Sequence, residues 1–360
     1  MAITVQSGTE VMTADSEDIT ITAVDLTRSY VIVDATTDSA TSTSSFQSWG
    51  VTAYLADSTT ITIQRDGGVS DASVQWQVVT CDQGEFIVVA RGAQPVSTGN
   101  TVTTVTVPDT DPGRAMLIYN SRGNFGTTDT NLGFVTGHFS SPTELQFERG
   151  GSSTTRTNCR YEVIEWSLNS GVRVTSGVHD GSGLLGSTPS NSTHGNSDVY
   201  VNVGGATDKL TNTWLFAQSR HEQNGLEQCA VYAWFDATKV YFQRYDHATA
   251  NYDSHIAWQL VTFPSECCEL RTPSMASGDT VKDNTTTLVM DTSATAVWQT
   301  NSCNGTGQAF GRNAWKSEVL NSTTIRQTRS YSGQACYSAI SICDFSLFDA
   351  YLNQLFMGTT

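Results

Sequence analysis

Thr59-Thr-Ile-Thr-Ile-Gln-Arg65, followed by Gln75-Trp-Gln-Val-Val-Thr-Cys81, decides the fold, because the chain contains this pair of segments four times. The second copy is Thr143-Glu-Leu-Gln-Phe-Glu-Arg149 with Arg160-Tyr-Glu-Val-Ile-Glu-Trp166. The third is Thr238-Lys-Val-Tyr-Phe-Gln-Arg244 with Ala257-Trp-Gln-Leu-Val-Thr-Phe263. The fourth and most divergent is Thr323-Thr-Ile-Arg-Gln-Thr-Arg329 with Ala339-Ile-Ser-Ile-Cys-Asp-Phe345. In every copy the Thr stands six residues before the Arg, and the four arginines lie 84, 95 and 85 residues apart. Apolar, often β-branched residues alternating with polar ones have the period of a half-buried strand. A unit recurring at this interval is one supersecondary module repeated in tandem. The expected fold is therefore all-β, a tandem array of four small antiparallel β-sandwich modules.

Working outward, each copy is preceded by three more strands. The first alternates, as in Ile19-Thr-Ile-Thr-Ala-Val24 and Val102-Thr-Thr-Val-Thr-Val107. The next is more continuously apolar, as in Tyr30-Val-Ile-Val33 and Trp214-Leu-Phe-Ala217, and reads as a central strand packed on both sides. The last, such as Trp49-Gly-Val-Thr-Ala-Tyr-Leu55, leads through a short polar turn into the Thr-to-Arg strand. Glu85-Phe-Ile-Val-Val89 and Val172-Arg-Val174 read as sixth segments that close the first two modules. Loop-like composition at Gly92-Ala-Gln-Pro95, at 177–196 and at Thr272-Pro-Ser-Met-Ala-Ser277 divides the chain into modules 1–95, 96–180, 181–272 and 273–360. Residues 345–356 are the one place for a short helix. Trp76, Tyr161 and Trp258 occupy matching positions and read as core anchors.

Composition narrows the function classes. The net charge is −16, with 35 acidic residues against 19 basic ones, so no basic stripe exists to displace counterions from nucleic acid. No apolar run is long enough to span a membrane. Met1-Ala-Ile-Thr-Val-Gln-Ser7 lacks the basic and apolar regions of a secretory signal, so synthesis in a cytosol is expected. The six histidines form no paired-ligand spacing, the eight cysteines include no Cys-x-x-Cys, and no Gly-x-Ser-x-Gly occurs. No catalytic residue, metal or cofactor is therefore expected. Cys159 and Cys343 fall on strand positions and read as small buried hydrophobes. Disulfides between Cys303 and Cys336, or involving Cys267 or Cys268, stay open.

Arg65, Arg149, Arg244 and Arg329 are the best candidates for a shared role. Either they contact a sugar or an interface, or they close each sandwich by cross-strand pairing or by hydrogen-bonding a loop. Recurrence in all four copies favours closure, since a fold-maintaining role is needed four times and a binding site is not. In the loop Asp246-His-Ala-Thr-Ala-Asn-Tyr-Asp253, Tyr252 flanked by polar groups is a candidate ligand contact.

The module, with its Thr-x-apolar-x-apolar-x-Arg strand, its Trp-x-Val-Val strand and the segment Val88-Val-Ala-Arg-Gly92, resembles repeats in virion structural proteins of tailed bacteriophages. More loosely it is similar to H-type lectin domains, six-stranded sandwiches that often trimerise and bind a sugar. The resemblance implies a non-enzymatic virion protein, made in the host cytoplasm. It would be a tail fibre or baseplate component presenting lectin-like modules to the host surface, or alternatively a capsid decoration protein that cements the head. The implied partners are other virion proteins, further copies of the chain (a trimer in the lectins) and host cell-surface glycan. No sugar-binding residue of the lectin family is carried over to a position in this chain.

Overall fold

The computed structural model describes residues 3–37, 50–67, 71–123, 133–179, 199–203, 211–221, 231–243, 254–303, 315–329 and 336–357. The first repeat contains β1 (Ile3–Met12), β2 (Ser16–Thr20), β3 (Ser29–Thr37), β4 (Thr52–Asp57), β5 (Thr60–Gln64) and β6 (Ala72–Cys81). The second contains β7 (Phe86–Val96), β8 (Val102–Thr106), β9 (Ala115–Arg122), β10 (Val135–Ser141), β11 (Glu144–Arg149) and β12 (Thr157–Trp166). The third contains β13 (Arg173–His179), β14 (Val199–Asn202), β15 (Thr213–His221), β16 (Tyr232–Phe235), β17 (Lys239–Gln243) and β18 (Ser254–Thr262). The fourth contains β19 (Cys268–Arg271), β20 (Ser274–Met275), β21 (Val281–Thr285), β22 (Thr295–Cys303), β23 (Trp315–Asn321), β24 (Thr324–Arg329) and β25 (Cys336–Asp344). A helix, α1 (Phe345–Met357), follows in the stretch expected to be helical.

Every repeat has the same wiring. The first, sixth and third strands form one antiparallel sheet, in the orders β1-β6-β3, β7-β12-β9 and β13-β18-β15. The second, fifth and fourth strands form the other, β2-β5-β4, β8-β11-β10, β14-β17-β16 and β21-β24-β23. In the fourth repeat Pro273, which has no N–H to donate, divides the first strand into β19 and β20, and both pair with β25, as does β22. These pairings correct two expectations. The segments at 85–89 and 172–174 do not close the preceding repeat: β7 pairs with β12 and β13 with β18, so they lead into the following one. The apolar third strand is not central either, because it pairs only with the sixth, which is the middle strand of its sheet. The expected break near 95 thus falls inside β7, and the break near 273 falls between β19 and β20.

The signature residues mark the two ends of the fifth strand. The Thr ends a two-residue-offset turn in which a short polar side chain accepts its N–H: Asp57 from Thr59 at 2.7 Å, Ser141 from Thr143 at 3.3 Å, Asp236 from Thr238 at 2.8 Å and Asn321 from Thr323 at 3.0 Å. Its carbonyl then receives an N–H from just beyond the second strand, as Ile21 does at Thr59 and Val107 at Thr143. Trp76, Tyr161 and Trp258 are buried, each facing a glycine across the sheet. A Cβ at Gly8, Gly92 or Gly177 would stand 2.6, 2.7 or 2.9 Å from the facing aromatic side chain, so only a bare backbone admits it.

Each sixth strand is buried on both faces. In β6, Ala72, Val74, Trp76 and Val78 fill the core of their own sandwich, while Val79 and Cys81 join a second core. That second core is common to all four repeats. It takes Tyr30 and Ile32 from the first, Met116 and Trp166 from the second, Trp214 and Phe263 from the third, and Trp298 and Cys343 from the fourth. Phe345, Phe348 and Leu352 of α1 plug it. Burial of this apolar surface is the main force holding the repeats to one another.

Polar groups fix the order in which the repeats meet. Gln77 of the first repeat donates to the Val297 carbonyl and accepts from its N–H, both at 2.9 Å. Gln259 of the third does the same to Leu117 of the second, both at 2.7 Å. Glu162 of the second accepts the Val31 N–H of the first at 2.7 Å, and Ser341 of the fourth accepts the Leu215 N–H of the third at 2.8 Å. The four side chains that make these contacts occupy one repeat position, opposite Ile32, Ile118, Phe216 and Trp298 in register. The contacts therefore run from repeat 1 to 4, 4 to 3, 3 to 2 and 2 to 1. The array is a closed ring, and its ends are joined by further bonds, Val5 N–H to Ser293 at 2.6 Å and Lys316 to Ser73 at 2.7 Å.

Candidate functional site in the seams between repeats

Three of the four signature arginines lie among the described residues, and all three are buried. Arg65 donates through Nε to the Ala14 carbonyl at 3.1 Å, Arg149 to Asn100 at 2.9 Å and Arg329 to Asp279 at 2.7 Å. These carbonyls belong to the loop joining the first and second strands. Arg149 also reaches the carbonyls of Ser97 at 3.0 Å and Thr155 at 2.7 Å, and Arg329 that of Ala276 at 2.7 Å. The planar fork of Arg149 ties two loops of one sandwich together, and Arg65 and Arg329 each hold the loop between the first and second strands, which is the closure role set out above. Arg244 and Tyr252 lie outside the described residues. Replacing Arg149 with Met leaves several loop carbonyls without a buried donor. A loss of about 2 kcal/mol in urea unfolding is expected, only partly restored by Lys; a variant within 0.5 kcal/mol of the parent, roughly the scatter of surface substitutions, would contradict the role.

The residue before the signature arginine serves the seam. Arg122 of β9 donates to the Gln64 side chain at 3.2 Å and pairs with Asp66, which also accepts from Asn158 at 2.8 Å. One seam further on, Arg220 of β15 holds Glu148 at 2.6 Å and Thr136 at 3.2 Å. Repeats 1 and 2 leave an open polar cleft of about 510 Å³ at this point, lined by Ser16, Arg65, Asp66, Arg122, Arg156 and Asn158 among others. Arg156 is exposed at its rim. Beside it, the Arg160 guanidinium lies 3.8 Å over the Tyr54 ring. The arrangement offers fixed donors and acceptors to a polar or anionic group.

Glu162 sits deeper in the same seam. Burial pushes its carboxyl up to about 7, against the opposing pull of Arg91 and of the Val31 N–H. Asp34 is likewise pushed to about 7 by burial alone. His138 lies near Glu148 and Arg220, and burial holds its imidazole below the usual range. His179 stacks on Phe242 at 5.9 Å.

Cys81, Cys159, Cys267, Cys268 and Cys343 are free and buried, so the alternative of a disulfide through Cys267 or Cys268 does not hold. Cys159 and Cys343 are the small core residues expected. Cys336 is disulfide-bonded, and the residue opposite it in register is Cys303. The fold also gathers Cys267, Cys268 and Cys343, a constellation that a search for short spacings misses because Cys343 arrives from β25. Compared with known proteins, the chain matches no protein-family model and no curated sequence.

Proposed function

We propose that the chain is a non-enzymatic structural component of a tailed-phage virion, placed in the tail as part of a fibre or baseplate. The observation that carries this reading is where the recurring polar residues go. The arginines close loops, and the residues at 77, 162, 259 and 341 close the ring. The repeated positions thus serve a rigid scaffold, and the ligand-facing groups are those of one seam. The cleft between repeats 1 and 2, with its guanidinium, carboxylate and amide groups, suits the hydroxyl or acidic groups of a host glycan. The partners in this reading are other virion proteins, copies of the same chain and the cell-surface sugar. A second reading, capsid decoration without glycan binding, draws support from ring closure itself, because a closed ring does not reach outward as an open string of modules would.

Mass spectrometry and particle imaging of purified virions separate these readings. Abundant peptides from this chain at the tail, with binding on a glycan array that Arg156→Ala weakens, support the first. A location on the head with a blank array supports the second. Absence from the particle overturns both.

A further inference from the structure

The strongest feature that the scaffold role leaves unused is the three-cysteine cluster where β19 meets β25. The sulfurs of Cys267, Cys268 and Cys343 all lie within 4.8 Å of one another, and those of Cys267 and Cys268 are 3.8 Å apart. Three sulfurs bound to one ion at about 2.3 Å in a plane would stand about 4 Å from each other. One pair already stands near that spacing, and the third sulfur lies within 4.8 Å of both.

Comparison with the other repeats shows that packing does not require it. Cys268 faces Cys343 in register where the other repeats pair Val5 with Val79, Val88 with Ile164 and Val174 with Val261. Valine and isoleucine fill this spot three times. The position of Cys267 corresponds to Thr4, Ile87 and Arg173, all exposed, yet Cys267 is 0% exposed. A tight turn, with the Cys267 N–H bonded to the Ser265 carbonyl at 3.0 Å, accompanies this inward placement. The fourth repeat therefore departs from the common pattern in a way that adds a third thiol to two that already face each other. A separate feature lies beside them. The Tyr30 hydroxyl is fully buried without a hydrogen-bond partner among the described residues, in the shared core that also holds Cys343 and Cys81. An O–H donor left unspent there is suited to a charged sulfur and has no other acceptor among the described residues.

We propose that Cys267, Cys268 and Cys343 bind one soft monovalent d10 cation, Cu(I), in three-coordinate thiolate geometry. Soft thiolates select Cu(I), zinc or iron–sulfur clusters, and structural zinc takes four protein ligands. The described residues supply three. On binding, each thiol releases its proton to solvent and three sulfur–metal bonds form, with no change of oxidation state. The ion would join the first and sixth strands of the fourth repeat at the edge of the shared core.

The test is to supply Cu(I), as a chelator-buffered complex without oxygen, to the folded full-length chain and separately during its refolding. Expected are one copper per chain by either route and X-ray absorption showing three sulfur neighbours. Cys343→Val and Cys268→Val, which restore the residue of other repeats, should abolish retention, while Cys159→Val should keep it. Absorption spectra of the unsubstituted chain decide the matter even where a variant fails to fold. No copper retained by either route, retention unchanged in Cys343→Val, or a coordination shell other than three sulfurs overturns the proposal.

Discussion

Trp166→Ala is expected to lower stability by about 3–5 kcal/mol, the cost of truncating a fully buried aromatic, and to loosen the whole ring. Trp166 is 0% exposed and ends β12 of the second repeat. Its ring lies 5.2 Å from Phe86, 5.4 Å from Phe263 of the third repeat, and 6.5 and 6.2 Å from Phe345 and Phe348 of α1. The cavity left behind opens the shared core, so hydrogen exchange should rise in all four repeats. Trp76→Ala makes the contrasting case, because Trp76 packs in the core of its own sandwich; there the rise should be largest in the first repeat. Trp166→Phe should cost much less, since the indole N–H has no partner to lose among the described residues. Hydrogen exchange that rises only in the second repeat after Trp166→Ala would mean that the shared core does not couple the repeats.

Glu162→Gln is expected to stabilise the protein at pH 8 by up to about 3 kcal/mol, using 1.36 kcal/mol per unit of pKa shift. Gln77 and Gln259 at the same position each donate and accept across their seams, while an ionised Glu162 can only accept. A protonated carboxyl carries a donor, as glutamine does. The sign follows from the direction of the shift. Burial raises the folded pKa to about 7, above the ordinary glutamate value of 4.5, so the folded state holds the proton more tightly. The contribution is complete below about 4.5 and is lost as pH rises through about 7. Asp34, raised to about 7, and Asp349, raised to about 6, share that direction. Stability of the parent should therefore fall between pH 5 and 8, by roughly the amounts linkage assigns to such carboxyls. The variant should fall less. Denaturant titrations at several pH values check this, and a variant less stable than the parent at pH 8 would show that the Arg91–Glu162 attraction outweighs burial.

Much of this architecture could be read from residues. Alternation and the Thr-to-Arg interval revealed six-stranded repeats, and recurrence pointed correctly to loop closure by Arg65, Arg149 and Arg329. Ownership of the first strand was harder to read. Its best marker, Gly8, Gly92 and Gly177 facing Trp76, Tyr161 and Trp258, is a cross-strand relation that becomes visible only once the register is known. Ring closure was hidden for a similar reason. Gln77, Glu162, Gln259 and Ser341 look like ordinary outward positions of an alternating strand, and nothing local says that the outward side meets another repeat. The thiol cluster combines two adjacent cysteines with one brought from β25, a spacing that belongs to no short motif.

Four sandwiches close into one ring around a common core. Small-angle scattering from single chains isolated by size tests it most directly. A closed ring of 360 residues predicts a radius of gyration of about 21 Å, the value for a compact chain of this length. A value above about 30 Å, as expected for four compact units of about 13 Å strung end to end, would contradict it.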